Sequence, residues 1–140
     1  MGIDPGKTGG IAIINPVANT VETLSMTNKT EMDIYDWMVE NDRPTKCIIE
    51  KVHGMPGQRG MFEFGKSFGF LIGLITARQI PFELVIPNKW QKFLGCQTKG
   101  DKNVTKRKAQ QLFPQLKITH AIADALLIAE YCWRVSNNDS

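Results

Sequence analysis

Three carboxylates stand in apolar stretches of this chain, where an ionised side chain is costly. Asp4 follows the apolar start MGI, Glu50 lies inside CIIEKV, and Asp124 lies inside AIADALLIA. A buried ionised carboxylate is unfavourable by several kcal/mol unless a cation or hydrogen bonds compensate it. Gathered at one site, the three groups would present hard oxygen ligands, which select Mg²⁺ or Mn²⁺ over zinc.

Such a carboxylate cluster suits the hydrolysis of phosphodiesters. Two divalent ions held about 4 Å apart can activate a water molecule and stabilise the leaving oxygen. His120 lies four residues before Asp124, so the two side chains share one face of a helix. His120 would either bind one metal ion or position the attacking water. The sequence therefore predicts a catalytic metal site with two Mg²⁺ ions as cofactor and Mn²⁺ as a substitute, formed by Asp4, Glu50, His120 and Asp124.

Each carboxylate also has a purely structural interpretation. Asp4 could be a turn residue. Glu50 could face solvent at a strand end, or pair with Lys46 or Lys51. Asp124 could bond a backbone donor near the start of its helix. A charge in the middle of an apolar run needs a reason, however, and this favours the metal site.

The glycine-rich stretch GIDPGKTGG around Asp4 also resembles the end of a phosphate-binding loop. A Walker A loop needs a glycine five residues before Gly6, where this chain has Met1. Such a loop also leads into a helix, whereas the residues that follow here, GGIAII, form a β-type apolar run. The glycines therefore predict a tight turn between two strands, with a positive φ available at Gly6 or Gly9. We accordingly expect no nucleotide cofactor.

Positive charge is concentrated between residues 88 and 108. This segment carries seven of the 17 bases and one of the 14 acids, which leaves 10 bases and 13 acids elsewhere. A segregated basic segment indicates a polyanionic partner, although charge alone also fits a solvated helix face. Lys102 and Lys106 lie about one helical turn apart, and Lys89 lies earlier in the segment. These three lysines are candidates for neutralising the phosphates of DNA.

The loop after Glu50, HGMPGQRG, is rich in glycine and lies beside the predicted metal cluster. His53 and Arg59 are its candidates for contact with DNA, and Arg59 adds a positive charge there. The alternative is an exposed surface loop without a ligand.

The apolar periodicity predicts the elements that would carry these residues. Short strands are expected at 3–5, 10–14 and 21–26, then a helix at 30–40 with Thr30 as its N-cap, and a buried strand at 46–52. A long helix is expected at 61–78, a strand at 82–86, and helices at 87–94, 102–113 and 120–134. This order predicts one α/β domain over residues 1–140, with a ribonuclease-H-like mixed five-stranded sheet flanked by helices.

Composition and length fit a globular domain. The chain has 140 residues, 42% of them hydrophobic, and no apolar run reaches transmembrane length. The start of the sequence lacks the charged and apolar segments of a signal peptide. The three scattered cysteines form no C-x-x-C pair, which is typical of reduced thiols rather than of a zinc site or disulfides. We therefore expect a cytoplasmic protein without a membrane partner.

Taken together, the motifs resemble those of RuvC-type Holliday junction resolvases, especially the short versions of phages and prophages. The matching stretches follow in order along nearly the whole chain: GIDPGKTGGIAI, IIEKV, MPGQRGMFEFGKSFGFLIGLI, VIPNKWQKFLG and HAIADALLIAEY. The resemblance implies a homodimeric endonuclease that makes paired incisions in a four-way DNA junction, in a bacterial cell or a phage-infected host. It places the family's acidic ligands on Asp4, Glu50 and Asp124. Its fourth ligand falls on His120, although some members space the last two ligands differently, and Lys102 best matches the family's lysines.

The resemblance also bears on selectivity and assembly. Some relatives carry a base-stacking aromatic in the loop after the second acid, where this chain has His53 and Met55. Weaker selectivity for the cleaved sequence is therefore expected. Gly65, Gly69 and Gly73 recur every four residues in the long helix and would let another backbone approach closely. That backbone belongs either to the protein's own sheet or, as the resemblance suggests, to the second chain of a dimer.

Other functions remain open at the level of sequence. A nuclease of the same fold could act on branched DNA in general, on flaps or on RNA. A junction-binding protein without catalysis is disfavoured because all the carboxylates are intact. An actin-like or sugar-kinase-like ATPase has a similar phosphate hairpin, but such proteins need two domains around the nucleotide.

Overall fold

The chain forms one mixed sheet in a computed structural model that describes residues 1–52 and 59–137. Five strands lie in the order β3-β2-β1-β4-β5. The strands are β1 (Gly2–Asp4), β2 (Gly10–Asn15), β3 (Thr20–Ser25), β4 (Cys47–Glu50) and β5 (Phe82–Val85). β1, β2 and β3 pair antiparallel, whereas β4 runs parallel to β1 and β5 runs parallel to β4. The predicted five-stranded mixed sheet is thus confirmed.

Five helices flank this sheet in the described part of the chain. They are α1 (Glu31–Glu40), α2 (Met61–Ala77), α3 (Pro87–Leu94), α4 (Asn103–Leu112) and α5 (His120–Asn137). Thr30 is the N-cap of α1, as predicted, since its hydroxyl accepts from the backbone N–H of Asp33 at 3.1 Å. None of the helices described has the length and apolar character needed to cross a membrane.

Strand alternation divides the buried side chains between the two faces of the sheet. Ile3, Ile11 and Ile49 point towards α1 and α2, whose buried residues join the same apolar cluster. Ala12 and Ile48 point to the other face and pack with α3, α4 and α5. All three cysteines are buried and free, as expected for reduced thiols.

Two glycines bring α5 unusually close to the sheet. A Cβ added at Gly2 would overlap the backbone of Ala125 and Ala129, and one added at Gly10 would overlap the carbonyl of Ala121. Glycine is therefore required on the strands, since any side chain would hold the helix away. This close approach sets the distance between the sheet and the residues of α5 that lie over β1 and β2.

The glycine stripe of α2 faces outwards. Gly65, Gly69 and Gly73 are exposed, and a Cβ added at any of them would meet no other heavy atom of the described residues within 4 Å. Packing of this stripe against the protein's own sheet, one of the two sequence alternatives, is therefore wrong. The side chain of Phe62 on the same helix is 80% exposed.

Candidate active site

Asp4 and Glu50 end two neighbouring parallel strands. Gly2 pairs with Ile48 and Ile3 pairs with Ile49, so the next positions, Asp4 and Glu50, lie side by side. Neighbouring strands are about 4.8 Å apart, and residues in register point to the same face. That face is the one covered by α5, because Gly2 and Ile48, two residues earlier, contact it. β4 ends at Glu50, earlier than the predicted 46–52, so this carboxylate lies at the carboxyl edge of the sheet.

Asp4 is the most strongly perturbed of these carboxyl groups. Burial, followed by the charges of Glu50 and Asp124, raises the pKa of Asp4 to about 8, and Lys102 opposes the rise. Mutual repulsion of this kind requires that the carboxylates lie near one another. The structure therefore brings the three predicted acids, from β1, β4 and α5, to one place, together with one lysine of the basic segment.

Glu50 is buried and hydrogen-bonded, with 7% of its surface exposed. Burial raises its pKa to about 7, a bond from the indole of Trp90 opposes the rise, and Asp124 adds to it. That bond runs from Trp90 Nε1 to Glu50 Oε2 and measures 2.8 Å. A solvent-facing Glu50 is wrong because the side chain is buried. A pair with a neighbouring lysine is wrong too, since Lys46 pairs with Glu83 at 3.7 Å and no ion pair among the described residues joins Glu50 to Lys51.

Asp124 lies in the second turn of α5 and is half-buried. Burial raises its pKa, and three groups oppose the rise: the Thr105 hydroxyl, which bonds it, and the charges of His120 and Lys102. The same hydroxyl lies 3.3 Å from the carbonyl oxygen of Lys102. A hydroxyl has one proton, so Thr105 donates either to Asp124 or to that carbonyl at any moment. The bond to Asp124 ties the start of α4 to the carboxylate cluster, whereas the bond to Lys102 lies within α4.

His120 is the first residue of α5 and is exposed. Its charge acts on Asp124, which agrees with the expectation that the two residues share a helix face. Whether His120 binds a metal ion or positions water stays a prediction.

The donor set has the chemistry of a divalent-cation site. Three buried or half-buried carboxylates repel one another, and a hard divalent cation would relieve that repulsion through the oxygen ligands it prefers. Across residues 1–52 and 59–137, however, no three His, Cys, Asp or Glu side chains converge closely enough to make a complete ligand set. The three carboxylates therefore share one site, at spacings wider than a complete ligand set requires.

The turn after Asp4 has the geometry of a strand connection. Gly6 has φ +115°, and its carbonyl accepts a 3.1 Å bond from the N–H of Gly9. Gly9 itself is required for a different reason, because a Cβ there would overlap the carbonyl of Asp4. The turn leads directly into β2 rather than a helix, so it is no Walker A loop.

The predicted DNA-binding residues lie at different distances from this cluster. Lys102, the N-cap of α4, is near enough to lower the pKa of both Asp4 and Asp124. Lys106 lies one turn further along α4 and is half-buried, whereas Lys89 is exposed on α3 and Arg59 is exposed just before α2. His53 and Met55 fall outside the described residues. Contact with DNA stays a prediction for all of them.

Sequence reasoning missed Trp90 and Thr105. Both are buried, and both bond a carboxylate of the cluster. A signal existed in principle, since a buried Trp needs an acceptor and a buried Glu needs a donor. Pairing them would have required knowing that α3 packs over β4.

The same fold is found in solved structures of RuvC. The Thermus thermophilus RuvC structure matches with a TM-score of 0.66 and 18% sequence identity, covering 96% of this chain and 95% of that one. The structure of T. thermophilus RuvC in complex with a Holliday junction substrate matches with a TM-score of 0.68 and 15% identity, covering 96% and 93%. No protein-family model and no curated protein matches the sequence. At this identity the likeness establishes the RuvC-type, ribonuclease-H-like fold, and the predicted resemblance is confirmed at that level.

Proposed function

We propose that this protein is a metal-dependent, structure-selective endodeoxyribonuclease that resolves four-way DNA junctions by paired strand incision. The observation that carries the proposal is the convergence of Asp4, Glu50 and Asp124 at the carboxyl edge of the sheet, where the charges of Glu50 and Asp124 raise the pKa of Asp4 and the charge of Asp124 raises that of Glu50. The RuvC-type fold, shared with a structure bound to a Holliday junction substrate, supports the choice of substrate. DNA recombination, DNA repair or the processing of phage DNA are the settings for such an activity.

Mg²⁺, as two ions, is the proposed cofactor, and Mn²⁺ the substitute. Asp4, Glu50 and Asp124 would hold it through carboxylate oxygens, with His120 as a further ligand or as a group that positions water. When bound, the metal would activate water and stabilise the leaving oxygen of the phosphodiester.

The chain's own residues prepare this site in three ways. Trp90 bonds Glu50, and Thr105 is shared between Asp124 and the backbone of Lys102. Lys102 places a positive charge beside the acids, where a DNA phosphate must approach them. Lys106, Lys89, Arg59 and His53 are proposed to contact DNA further from the cut.

Cleavage depends on the acids, whereas binding does not, and this difference tests the proposal. Asp4→Asn, Glu50→Gln and Asp124→Asn should each abolish cutting of a four-way junction, by at least about a hundredfold, because each removes a metal-binding charge. Junction affinity in EDTA should stay within a few-fold of wild type. The matched control is Glu83→Gln, which removes an exposed carboxylate from β5.

The measurements are single-turnover cleavage and a binding titration, on a four-way junction, a flap and a duplex. If any one of the three acid variants cleaves at the wild-type rate, the acid that it replaces is not part of the catalytic site. Equal cleavage rates on the flap and the junction would show that the protein is a branched-DNA nuclease of broader specificity rather than a resolvase.

A further inference from the structure

Glu50 is joined to a side chain outside the predicted ligand set. Trp90, on α3, has no exposed surface, and its Nε1–H donates the 2.8 Å hydrogen bond to Glu50 Oε2. The two residues are 40 positions apart in the chain, so the bond depends on how α3 packs over β4. A buried indole N–H needs an acceptor and a buried carboxylate needs a donor, so each group satisfies the other.

The bond makes the two oxygens of Glu50 unequal. An indole N–H can only donate, so Trp90 fixes Oε2 as an acceptor and thereby the plane of the carboxylate. The direction of Oε1 follows from that plane. Without the bond, rotation about the last side-chain torsion of Glu50 would be broad.

Trp90 is itself held in place. It packs in the apolar cluster that contains Ile48 of β4 and Ala125 of α5, the elements that carry Glu50 and Asp124. The helix that bears it begins with Pro87 and also buries Leu94, which lies one turn after Trp90. The donor is therefore packed in the same apolar cluster as the elements that carry two of the three acids.

We propose that Trp90 is a positioning residue, which holds the Glu50 carboxylate in a fixed plane so that Oε1 is presented to the divalent cation shared with Asp4 and Asp124. This inference rests on the proposed function. Hydrogen bonds to metal-ligating side chains orient the ligand, and their loss lowers metal affinity by about 10- to 100-fold.

The test removes the N–H while keeping an aromatic ring in the core. In Trp90→Phe, the affinity for Mn²⁺ measured by calorimetry without DNA should fall about 10- to 100-fold, and the Mg²⁺ concentration that gives half-maximal junction cleavage should rise by a similar factor. Junction affinity in EDTA should not change, because Trp90 is buried. Trp133→Phe, at a partly exposed tryptophan on α5, is the matched control and should behave as wild type.

Metal affinity in Trp90→Phe equal to that of wild type would overturn the proposal. So would a loss of cleavage that is equal at all Mg²⁺ concentrations, because that pattern indicates a packing defect. Wild-type protein that binds no Mn²⁺ would overturn it too. If Mn²⁺ binding weakens in Trp90→Phe but wild-type protein cuts no junction, the positioning role stands and the proposed activity fails.

A second measurement avoids the risk that Trp90→Phe does not fold. In the Trp37→Phe/Trp133→Phe double variant, Trp90 is the remaining tryptophan of the three, so its indole N–H gives a single ¹⁵N-correlated signal. Because this proton bonds a proposed metal ligand, its chemical shift should move during a Mg²⁺ titration and saturate with the affinity found by calorimetry. A signal that does not respond to Mg²⁺ would contradict the proposal.

Discussion

At the scale of single residues, the site is defined by carboxylates in unfavourable surroundings. Burial and the neighbouring acids raise the pKa of Asp4 to about 8, and burial is the main cause that raises that of Glu50 to about 7. Both groups therefore hold protons near neutral pH unless a cation stabilises their charged form. The same feature that suits the cluster to a cation makes the metal-free protein sensitive to pH.

This sensitivity has a definite sign. The folded pKa of Asp4 lies above its unfolded value of 3.8, so between that value and about 8 the folded state binds more protons than the unfolded state. The free energy of unfolding in EDTA should therefore fall as the pH rises through this window, by about 1.4 kcal/mol per pH unit for each such group. Thermal or urea unfolding across the window measures the slope.

Asp4→Asn should make that slope shallower, because the amide does not titrate. The control Asp36→Asn, on the exposed surface of α1, should leave it unchanged. Saturating Mg²⁺ should also reduce the fall for wild type, since it stabilises the ionised carboxylates. Equal slopes for wild type and Asp4→Asn would show that Asp4 is not the perturbed group.

At the scale of elements, close packing of α5 on the sheet decides where Asp124 lies. Gly2 and Gly10 allow the helix backbone to approach β1 and β2. The glycines of α2 bring no other element close, since none of the described residues packs against them. The same residue type therefore has opposite effects on stability in the two places.

Alanine substitution separates these two kinds of glycine. Gly10→Ala should lower the free energy of unfolding by about 3 kcal/mol or more, because its Cβ meets the backbone of Ala121. Gly73→Ala should raise it by about 0.5–1 kcal/mol, since alanine favours the helix and meets no neighbour. Denaturant unfolding at low protein concentration measures both free energies. A Gly10→Ala variant as stable as wild type would show that α5 does not pack this closely against β2.

The start of α4 is the element proposed to meet DNA phosphates. Lys102→Ala and Lys106→Ala should weaken binding at all sequences and make the slope of log affinity against log salt shallower by about 0.9 for each lost contact. Lys117→Ala, an exposed lysine beyond α4, is the matched control. Unchanged slopes in a salt titration would show that Lys102 and Lys106 contact no phosphate and belong to an ordinary solvated helix face.

At the scale of the whole molecule, the main question is the number of chains. Under the proposed function, one carboxylate cluster per chain would provide one cut, whereas paired incision in a two-fold junction calls for two sites related by a two-fold axis. The outward glycine stripe of α2, with the exposed Phe62 beside it, is the proposed contact between two chains.

Gly69→Leu tests this contact. A side chain at this exposed position would meet no described residue of its own chain, so a single chain should fold normally. It would hold two helices apart, so the variant should be monomeric, keep Mn²⁺ affinity and nick junctions without coordinated double incision. Sedimentation and a cruciform-plasmid assay measure the two effects. Wild-type protein that sediments as a monomer at micromolar concentration, both free and on a junction, would remove the dimer and the paired cut.

Local pattern determined the elements and the acids of the candidate site. The apolar run around Glu50 marks a buried strand, and the single acid among the alanines and leucines around Asp124 marks a helix with one exceptional residue. Such signals need only the side-chain periods of strand and helix, which the sequence carries in full. The order of these elements was enough to predict the mixed sheet.

The bonds that orient the acids were decided only by the tertiary structure. The Trp90–Glu50 bond joins residues 40 positions apart, so it exists only once α3 has packed over β4. The outward direction of the α2 glycines likewise depends on which face of that helix the sheet buries. Of the basic residues, Lys102 is the one whose charge lowers the pKa of Asp4, which depends on how α4 packs beside β1. None of these relations has a local signature, because each depends on the distance between segments that are far apart in the chain.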